Sequence, residues 1–318
     1  MKKINRDFIL KMEWVACLLL GFSLFFLPNQ NCLIVQATPK KNQLRQIDFD
    51  WPLSYYPVKK TDLAEPILTA SGAAILDRDS GVFLFEKNYR QHLLPASTVK
   101  IMTALISLKH YSPLEVLMVP EVSDEGQDMG LVEGELITVE ALLNGLLIAS
   151  ANDAAEVLAN NYSKGRFEFI GTMNQEAGDL GLKNTFYDNP TGLDNEVAIN
   201  GEIKRAYTSA QDLAWLTDVA LKNEIFAKIV ATRQVILKDP QGKFFHPLSN
   251  LNELLWTTPG VVGVKTGWTE EARECLVTFF KKDGHQLIVV VLGSEDRFGE
   301  SRRLIDWALE NFSWQEMA

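Results

Sequence analysis

The amino-acid sequence predicts an α+β fold in which an antiparallel sheet, built from both ends of the chain, is interrupted by a helical insertion. Apolar runs of strand length occur near residue 75 and again after residue 260. Between them, apolar residues recur with helical spacing. Because the strands are almost continuously apolar, we expect helices to cover both faces of the sheet. The order of strands, helices, strands and a final helix differs from the alternation of a doubly wound parallel sheet.

Local patterns predict the individual elements. Residues 73–76 and 82–85 are apolar runs on either side of a glycine-containing turn, which predicts a β-hairpin. Apolar side chains recur on one side of residues 96–110, and the segments 137–162 and 208–230 also have helical spacing. The last third predicts strands at 233–237, 243–246, 260–265, 275–280 and 287–292 and a closing helix at about 300–312.

The composition excludes several classes of protein. The 318 residues are 47% hydrophobic and 23% charged, as in ordinary globular proteins, which excludes a collagen, a coiled coil or a disordered chain. The formal net charge of −10 argues against nucleic acid as a partner, because that binding needs cations that neutralise phosphates. Three cysteines are too few for a disulfide framework, and the four histidines share no metal-ligand spacing, so we expect no metal and no cofactor.

The first 37 residues have the order of a secretory signal. Basic residues precede an apolar run at 14–27, and Val35-Gln36-Ala37 follows as a candidate cleavage site with small residues. The run is shorter than the roughly 20 residues of a membrane span, although joined to 33–35 it would serve as an uncleaved membrane anchor. Both alternatives place the rest of the chain outside the cytoplasmic membrane, on its extracellular, periplasmic or cell-wall side. Residues 38–65, which contain several prolines, are expected to form an extended arm without regular structure.

Three short motifs each occur once, in this order: Ser97-x-x-Lys100, Ser150-x-Asn152 and Lys265-Thr266-Gly267. A Ser-x-x-Lys pattern is expected by chance about once in a chain of this length, whereas Lys-Thr-Gly is expected in fewer than roughly one such chain in ten. Taken singly, the serines could cap helices and the third motif could end a strand at a turn. Their combination, each on a suitable element, indicates nucleophilic serine chemistry.

These residue types supply what a serine nucleophile needs. Positions i and i+3 of a helix share a face, so the Lys100 amine can lie beside the Ser97 hydroxyl and take its proton. A lysine becomes such a base when burial and a second cation lower its pKa, and Lys265 is the candidate second cation. The N–H of Ser97, at a helix start, can bind an oxyanion, and Gly267 lets a substrate backbone approach the strand edge.

With these motifs the chain resembles the penicillin-recognising active-site serine enzymes, and within them the D-alanyl-D-alanine carboxypeptidases of peptidase family S11. The resemblance runs from about residue 66 to 314 and, beyond the motifs, includes the segments 186–194, 208–213 and 297–301. It implies a β-lactamase/transpeptidase-like fold with a five-stranded antiparallel sheet, helices on both faces and an inserted all-helical subdomain at about 115–230. The catalytic domain would span residues 66–318.

The resemblance implies a role for each site residue. The residues of the reaction itself are Ser97 as the acylated nucleophile, Lys100 as its base and Ser150 as a proton relay toward the leaving amine. The substrate-binding groups are the Asn152 side chain for the substrate amide, Lys265 and Thr266 for the terminal carboxylate, and the N–H groups of Ser97 and Trp268 for the oxyanion. Family members often carry His at the position of Trp268, so we expect an altered rate or specificity. Arg297 is a second candidate for the carboxylate; alternatively it pairs at the surface with Glu295, Asp296 or Glu300.

The implied reaction releases terminal D-Ala from peptidoglycan stem peptides through a serine ester that water hydrolyses, and β-lactams inhibit it. A β-lactamase is an alternative, but no Glu-x-x-Leu-Asn motif of that class follows Ser150-x-Asn152 in this sequence. A non-catalytic sensor acylated by β-lactams is another, yet it needs a cytoplasmic signalling portion, and about 13 residues precede Trp14. Residues 311–318 are too short and too poor in cations for the carboxyl-terminal amphipathic anchor of many family members, which leaves the amino-terminal segment as the expected tether.

Overall fold

The structure is a computed structural model that describes residues 55–121, 125–199 and 202–316. The signal or anchor predicted at 1–37, and the part of the predicted arm before residue 55, lie outside the described residues. Within the described ranges, no helix has both the length and the apolar character that a membrane span requires. The domain limits drawn from the sequence stay predictions.

The described residues contain helices and strands in the predicted order. The strands are β1 Tyr55–Lys59, β2 Gly72–Asp77, β3 Phe83–Lys87, β4 Val116–Met118, β5 Leu136–Thr138, β6 Val197–Ile199, β7 Glu202–Lys204, β8 Gln234–Lys238, β9 Phe245–Ser249, β10 Val261–Thr269, β11 Arg273–Lys282, β12 His285–Ser294 and β13 Phe312–Glu316. The α-helices are α1 Lys100–His110, α2 Val139–Asn144, α3 Asn152–Asn160, α4 Gly165–Asp179, α5 Ala210–Ala220, α6 Glu224–Val230, α7 Leu254–Thr257 and α8 Arg297–Asn311. A 3₁₀ turn, Ala96–Val99, precedes α1, and a π-helical turn, Gly145–Ala149, follows α2.

A five-stranded antiparallel sheet in the order β10-β11-β12-β2-β3 forms the core of the fold. This confirms the predicted sheet, because the first hairpin and the last third of the chain supply its strands. The register places Leu287 of β12 opposite Asp77 of β2 and Leu276 of β11 opposite Val291. Strand β12 lies in the middle, and its residues 287–292 are fully buried.

Helices cover both faces of this sheet, as the apolar strands predicted. Successive side chains of a strand point to opposite faces, and in β2 Ala73 and Ile75 belong to one apolar cluster while Ala74 and Leu76 belong to the other. Helices α7 and α8 pack in the first cluster, and α1 and α5 pack in the second. Burial on both sides explains why polar residues do not alternate along these strands.

The insertion between β3 and β10 is mainly helical, but the expectation of an all-helical subdomain at about 115–230 is wrong in this detail. Two short antiparallel ribbons, β4–β5 and β6–β7, lie within that range, and a third, β8–β9, follows it. The strands of the first two ribbons have three residues each. Period-two alternation needs longer runs to be visible in a sequence.

The helical segment predicted over 137–162 contains two α-helices, α2 and α3, separated by a π-helical turn. Thr138 caps α2 by accepting a hydrogen bond from the N–H of Ala141. After the π-helical turn, Ser150 adopts the left-handed conformation, with φ 63° and ψ 27°, and α3 begins at Asn152. A left-handed residue cannot continue an α-helix, so the chain changes direction at the first residue of the second motif.

The predicted arm is not wholly irregular. Strand β1 pairs antiparallel with β13, and Tyr55 lies opposite Glu316. The expectation that 38–65 lacks regular structure is therefore wrong at Tyr55–Lys59. Pro57 is compatible with this strand because both strands of a two-stranded ribbon are edge strands, in which proline can occur without removing a hydrogen bond to the partner strand.

The ribbon β1–β13 packs against one end of the central sheet. Trp314 on β13 donates its indole N–H to Asp77 Oδ1 at 2.8 Å. The same indole stacks on the ring of His285, with 4.0 Å between centroids. Asp77 ends β2 and His285 begins β12, so both contacts lie at the same end of the sheet.

Candidate active site

The first motif lies where the 3₁₀ turn Ala96–Val99 continues into α1. Ser97 is in the turn and Lys100 is the first residue of α1, so their side chains share a face. Lys100 Nζ lies 2.9 Å from Ser97 Oγ, which is hydrogen-bond distance. Lys100 is 0% exposed, unlike a solvated lysine in a first helical turn, whereas Ser97 is partly exposed. The pair therefore combines an accessible hydroxyl with a buried amine.

Lys100 Nζ has two further acceptors. They are Asn152 Oδ1 at 2.7 Å and the carbonyl oxygen of Thr191 at 2.6 Å. An ammonium group donates to all three acceptors. A neutral amine that keeps Asn152 and Thr191 for its two protons directs its lone pair at Ser97 Oγ, which is the geometry of a general base.

The electrostatics of the site favour a neutral amine at Lys100. Burial holds the pKa of Lys100 well below its usual value, and the charge of Lys265 is the second largest cause. The carboxylates of Asp153 and Glu156 oppose this shift. Burial, followed by the charge of Arg297, lowers the pKa of Lys265 itself to about 7. The charge of Arg297 thus acts on Lys265, and the charge of Lys265 acts on Lys100.

The third motif lies on β10, the edge strand of the sheet, directly against the nucleophile. A Cβ at Gly267 would lie 3.1 Å from the backbone nitrogen of Ser97, so glycine permits this close approach. Lys265 is 1% exposed and its Nζ donates to the carbonyl oxygen of Thr266 at 2.9 Å. Trp268 continues the same strand, and its side chain is 63% exposed. The structure thus brings the first and third motifs together.

The second motif lies at the break between the π-helical turn and α3. Ser150 is buried, and Asn152 begins α3. The Asn152 side chain joins two partners, because its Oδ1 accepts from Lys100 while its Nδ2 donates to the carbonyl oxygen of Glu125 at 2.8 Å. Asn152 was expected to hold a substrate amide; here it also orients the amine.

A loop that the sequence did not identify as part of the site lies under the nucleophile. Asn189 Oδ1 accepts hydrogen bonds from the N–H groups of Thr191 and Gly192, at 3.0 and 2.6 Å. Gly192 has φ +81°, and a Cβ there would lie 2.0 Å from the carbonyl oxygen of Ala96. This Asn-centred turn presents the Thr191 carbonyl to Lys100. The segment 186–194 was part of the family resemblance, but its contact with Lys100 could not be predicted, because every residue has a backbone carbonyl.

Arg297 lies beside the third motif. Its Nη1 donates to the carbonyl oxygen of Gly267 at 2.9 Å, and its backbone N–H donates to Glu274 Oε2 at 2.9 Å. Within the described ranges, its guanidinium forms no ion pair with the acidic neighbours considered from the sequence, Glu295, Asp296 and Glu300, whose carboxylates pair with Arg273 and Arg303. The surface alternative for Arg297 is therefore not the observed arrangement.

A cavity of about 230 Å³ opens beside the site, and Asn152 and Thr191 are among the residues that line it. Glu156 also lines this cavity, and Arg166 binds its carboxylate through Nε at 2.7 Å and Nη2 at 3.0 Å. A guanidinium therefore pairs with the Glu156 carboxylate that lines the cavity.

Comparison with known proteins agrees with this geometry. A sequence profile of the D-alanyl-D-alanine carboxypeptidases, peptidase family S11, matches residues 59–296. The chain belongs to this family. The family resemblance inferred from the motifs is thereby confirmed.

Named relatives of this S11 peptidase come from several bacteria. The D-alanyl-D-alanine carboxypeptidase DacF of Bacillus subtilis (strain 168) is 37% identical over 253 residues, which are 76% of this chain and 63% of the relative's length. The carboxypeptidase DacB2 of Mycobacterium tuberculosis is 31% identical over 242 residues, 73% of this chain and 80% of its own. The Streptomyces K15 DD-transpeptidase crystal structure superposes with a TM-score of 0.71 at 28% identity, covering 78% of this chain and 100% of that one. The predicted β-lactamase/transpeptidase-like fold is confirmed.

Proposed function

We propose that this S11 peptidase is a serine-type D-Ala-D-Ala carboxypeptidase that removes the terminal D-Ala from peptidoglycan stem peptides. The observation that carries the proposal is the buried Lys100 amine 2.9 Å from Ser97 Oγ, with two other acceptors fixing its lone pair on that hydroxyl. Family membership supports the substrate, because the relatives are named for D-Ala-D-Ala cleavage.

Acylation follows from this arrangement. Neutral Lys100 takes the proton of Ser97 as Oγ attacks the carbonyl carbon of the penultimate D-Ala. The backbone N–H groups of Ser97 and Trp268 bind the oxyanion, since β10 lies directly against the nucleophile. Ser150 relays a proton to the nitrogen of the departing D-Ala. Water then hydrolyses the Ser97 ester and restores the hydroxyl.

Recognition of the terminal carboxylate depends on cations at the β10 edge. Lys265 and Arg297 supply positive charge, and Thr266, which follows Lys265 on β10, supplies a hydroxyl donor. Asn152 binds the amide of the acyl part of the substrate. A β-lactam presents a comparable amide and carboxylate, so we expect it to acylate Ser97 and to inhibit the enzyme.

The location of the substrate implies export. Peptidoglycan lies outside the cytoplasmic membrane, so the catalytic part must act there. The amino-terminal segment is the proposed export signal and, if it is retained, the proposed link to the membrane.

The decisive experiment combines turnover with labelling. Purified protein incubated with bis-acetylated Lys-D-Ala-D-Ala should release free D-Ala, and a fluorescent penicillin should label it covalently. Ser97→Ala should abolish both signals in a folded protein, because no serine ester can form without Oγ. Ser163→Ala, at an exposed serine away from the motifs, is the matched control and should behave as wild type. Labelling that survives in Ser97→Ala would place the nucleophile elsewhere, and rapid hydrolysis of penicillin without release of D-Ala would identify a β-lactamase.

A further inference from the structure

A buried histidine pairs with a buried carboxylate away from the three motifs. His246 on β9 is 3% exposed, and Glu135, which precedes β5, is 2% exposed. The two ring nitrogens of His246 each contact an acceptor: Nδ1 lies 2.9 Å from the carbonyl oxygen of Met129, and Nε2 lies 2.7 Å from Glu135 Oε1. A neutral imidazole has a single N–H. Whether the ring is charged or a protonated Glu135 carboxyl donates to Nε2, both ring nitrogens are engaged, and the ring joins the Met129 carbonyl to Glu135.

Further hydrogen bonds hold the backbone around this contact. Glu135 Oε2 accepts the N–H of Val132 at 3.2 Å. The Asp153 carboxylate on α3 accepts the Met129 N–H at 3.2 and 3.1 Å. Met129 is therefore held from both sides, by Asp153 at its N–H and by His246 at its carbonyl oxygen.

The loop held by His246, residues 125–135, reaches the active site at its other end. Asn152 donates its side-chain Nδ2 to the carbonyl oxygen of Glu125 at 2.8 Å and its backbone N–H to that of Gln127 at 2.7 Å. The loop thereby fixes which way the Asn152 amide faces. With its nitrogen committed to the loop, the amide presents its oxygen to Lys100 at 2.7 Å.

We propose that His246 is a positioning residue for the acylation step. Its ring ties β9 to the loop 125–135, the loop orients Asn152, and Asn152 orients Lys100. The proposal rests on the proposed function, in which Lys100 is the base. His246 acts through these contacts and not on the substrate, so its loss should change the rate of acylation more than the affinity for the acylating ligand.

Acylation kinetics test the positioning role. His246→Leu removes both ring nitrogens and should lower the limiting rate of labelling by a fluorescent penicillin roughly 10- to 100-fold, the effect of a small misplacement of a catalytic group. The concentration for half-maximal rate should change far less. His246→Gln, which keeps a polar amide, should be intermediate, and His110→Leu, at an exposed histidine, should match wild type.

Circular dichroism and thermal melting establish that each variant is folded, since His246→Leu leaves Glu135 buried without its partner. If His246→Leu does not fold, His246→Gln carries the test. A folded His246 variant with the wild-type limiting rate, or one altered only in half-maximal concentration, would overturn the proposal. Failure of the wild type itself to be labelled would instead reject the proposed function.

Discussion

Replacing Arg297 by alanine tests how the terminal carboxylate is recognised. One guanidinium donor is bound to the carbonyl oxygen of Gly267 at 2.9 Å, and the charge of Arg297 also acts on Lys265, so the guanidinium lies close to the third motif. A charge-assisted hydrogen bond at such a partly buried position contributes about 2–3 kcal/mol. Arg297→Ala should therefore lower kcat/KM for a D-Ala-D-Ala peptide roughly 30- to 140-fold.

The same substitution should shift the pH dependence of turnover. A neighbouring cation disfavours protonated Lys265, so removing Arg297 raises the pKa of Lys265 above its value of about 7. In the wild type, the Lys265 charge that attracts the carboxylate is lost as the pH rises through about 7. In Arg297→Ala this loss occurs at higher pH, so the alkaline decline of kcat/KM should shift to higher pH. Arg297→Lys keeps the charge and should leave the decline near its wild-type position.

The assay compares two substrates that differ in one group. Release of D-Ala from the free peptide is measured beside release of D-alaninamide from the same peptide with an amidated carboxyl terminus. The amidated peptide should be poor for wild type and nearly unaffected by Arg297→Ala. Equal losses on both substrates, or an unchanged alkaline decline, would show that Arg297 supports the fold rather than the carboxylate.

Three other changes test different parts of the structure. Lys100→Arg keeps the charge but cannot readily lose a proton, so labelling by a fluorescent penicillin should slow by at least about 100-fold; near wild-type labelling would make Lys100 structural. Gly192→Ala should lower the free energy of unfolding by more than about 2 kcal/mol, because φ is +81° and the new Cβ would meet the carbonyl of Ala96. Gly171→Ala on α4 is its control in urea unfolding, since a Cβ there meets nothing within 4 Å; equal effects would contradict the strain argument. Mass spectrometry of protein from the native host should find an amino terminus near Thr38 if the leading segment is cleaved, whereas recovery of residues 14–27 would reveal a retained anchor.

The sequence predicted the central sheet well because its strands are long, apolar and separated by turn residues. Residues 287–292, for example, are buried on both faces, and only an interior strand tolerates such a run. The Ser97 and Lys100 pair was also predictable from the sequence, because helical spacing alone places positions i and i+3 on one face. The nearness of Lys265 to this pair needed the fold, since nearly 170 residues separate them.

Other parts of the site had no signal that could be read from residue types. The Thr191 carbonyl and the Glu125 carbonyl contribute only backbone atoms, which every residue possesses. The helix start at the second motif was expected, but the π-helical turn and the left-handed conformation of Ser150 were not, because a left-handed serine is rare. Helix α4 buries only Phe169, Met173 and Ala177, too few apolar positions to mark a helix of 15 residues.

The ribbon β1–β13 contains the first described residues of the chain and lies at one end of the central sheet. It touches Asp77 and His285 at one end of the sheet, whereas Arg297 follows the opposite end of β12, where the cleft opens. From Leu287, the partner of Asp77, to Ser294 the strand rises about 23 Å. The described chain therefore begins at the end of the sheet opposite to the third motif, so the ribbon does not border the residues that would bind substrate.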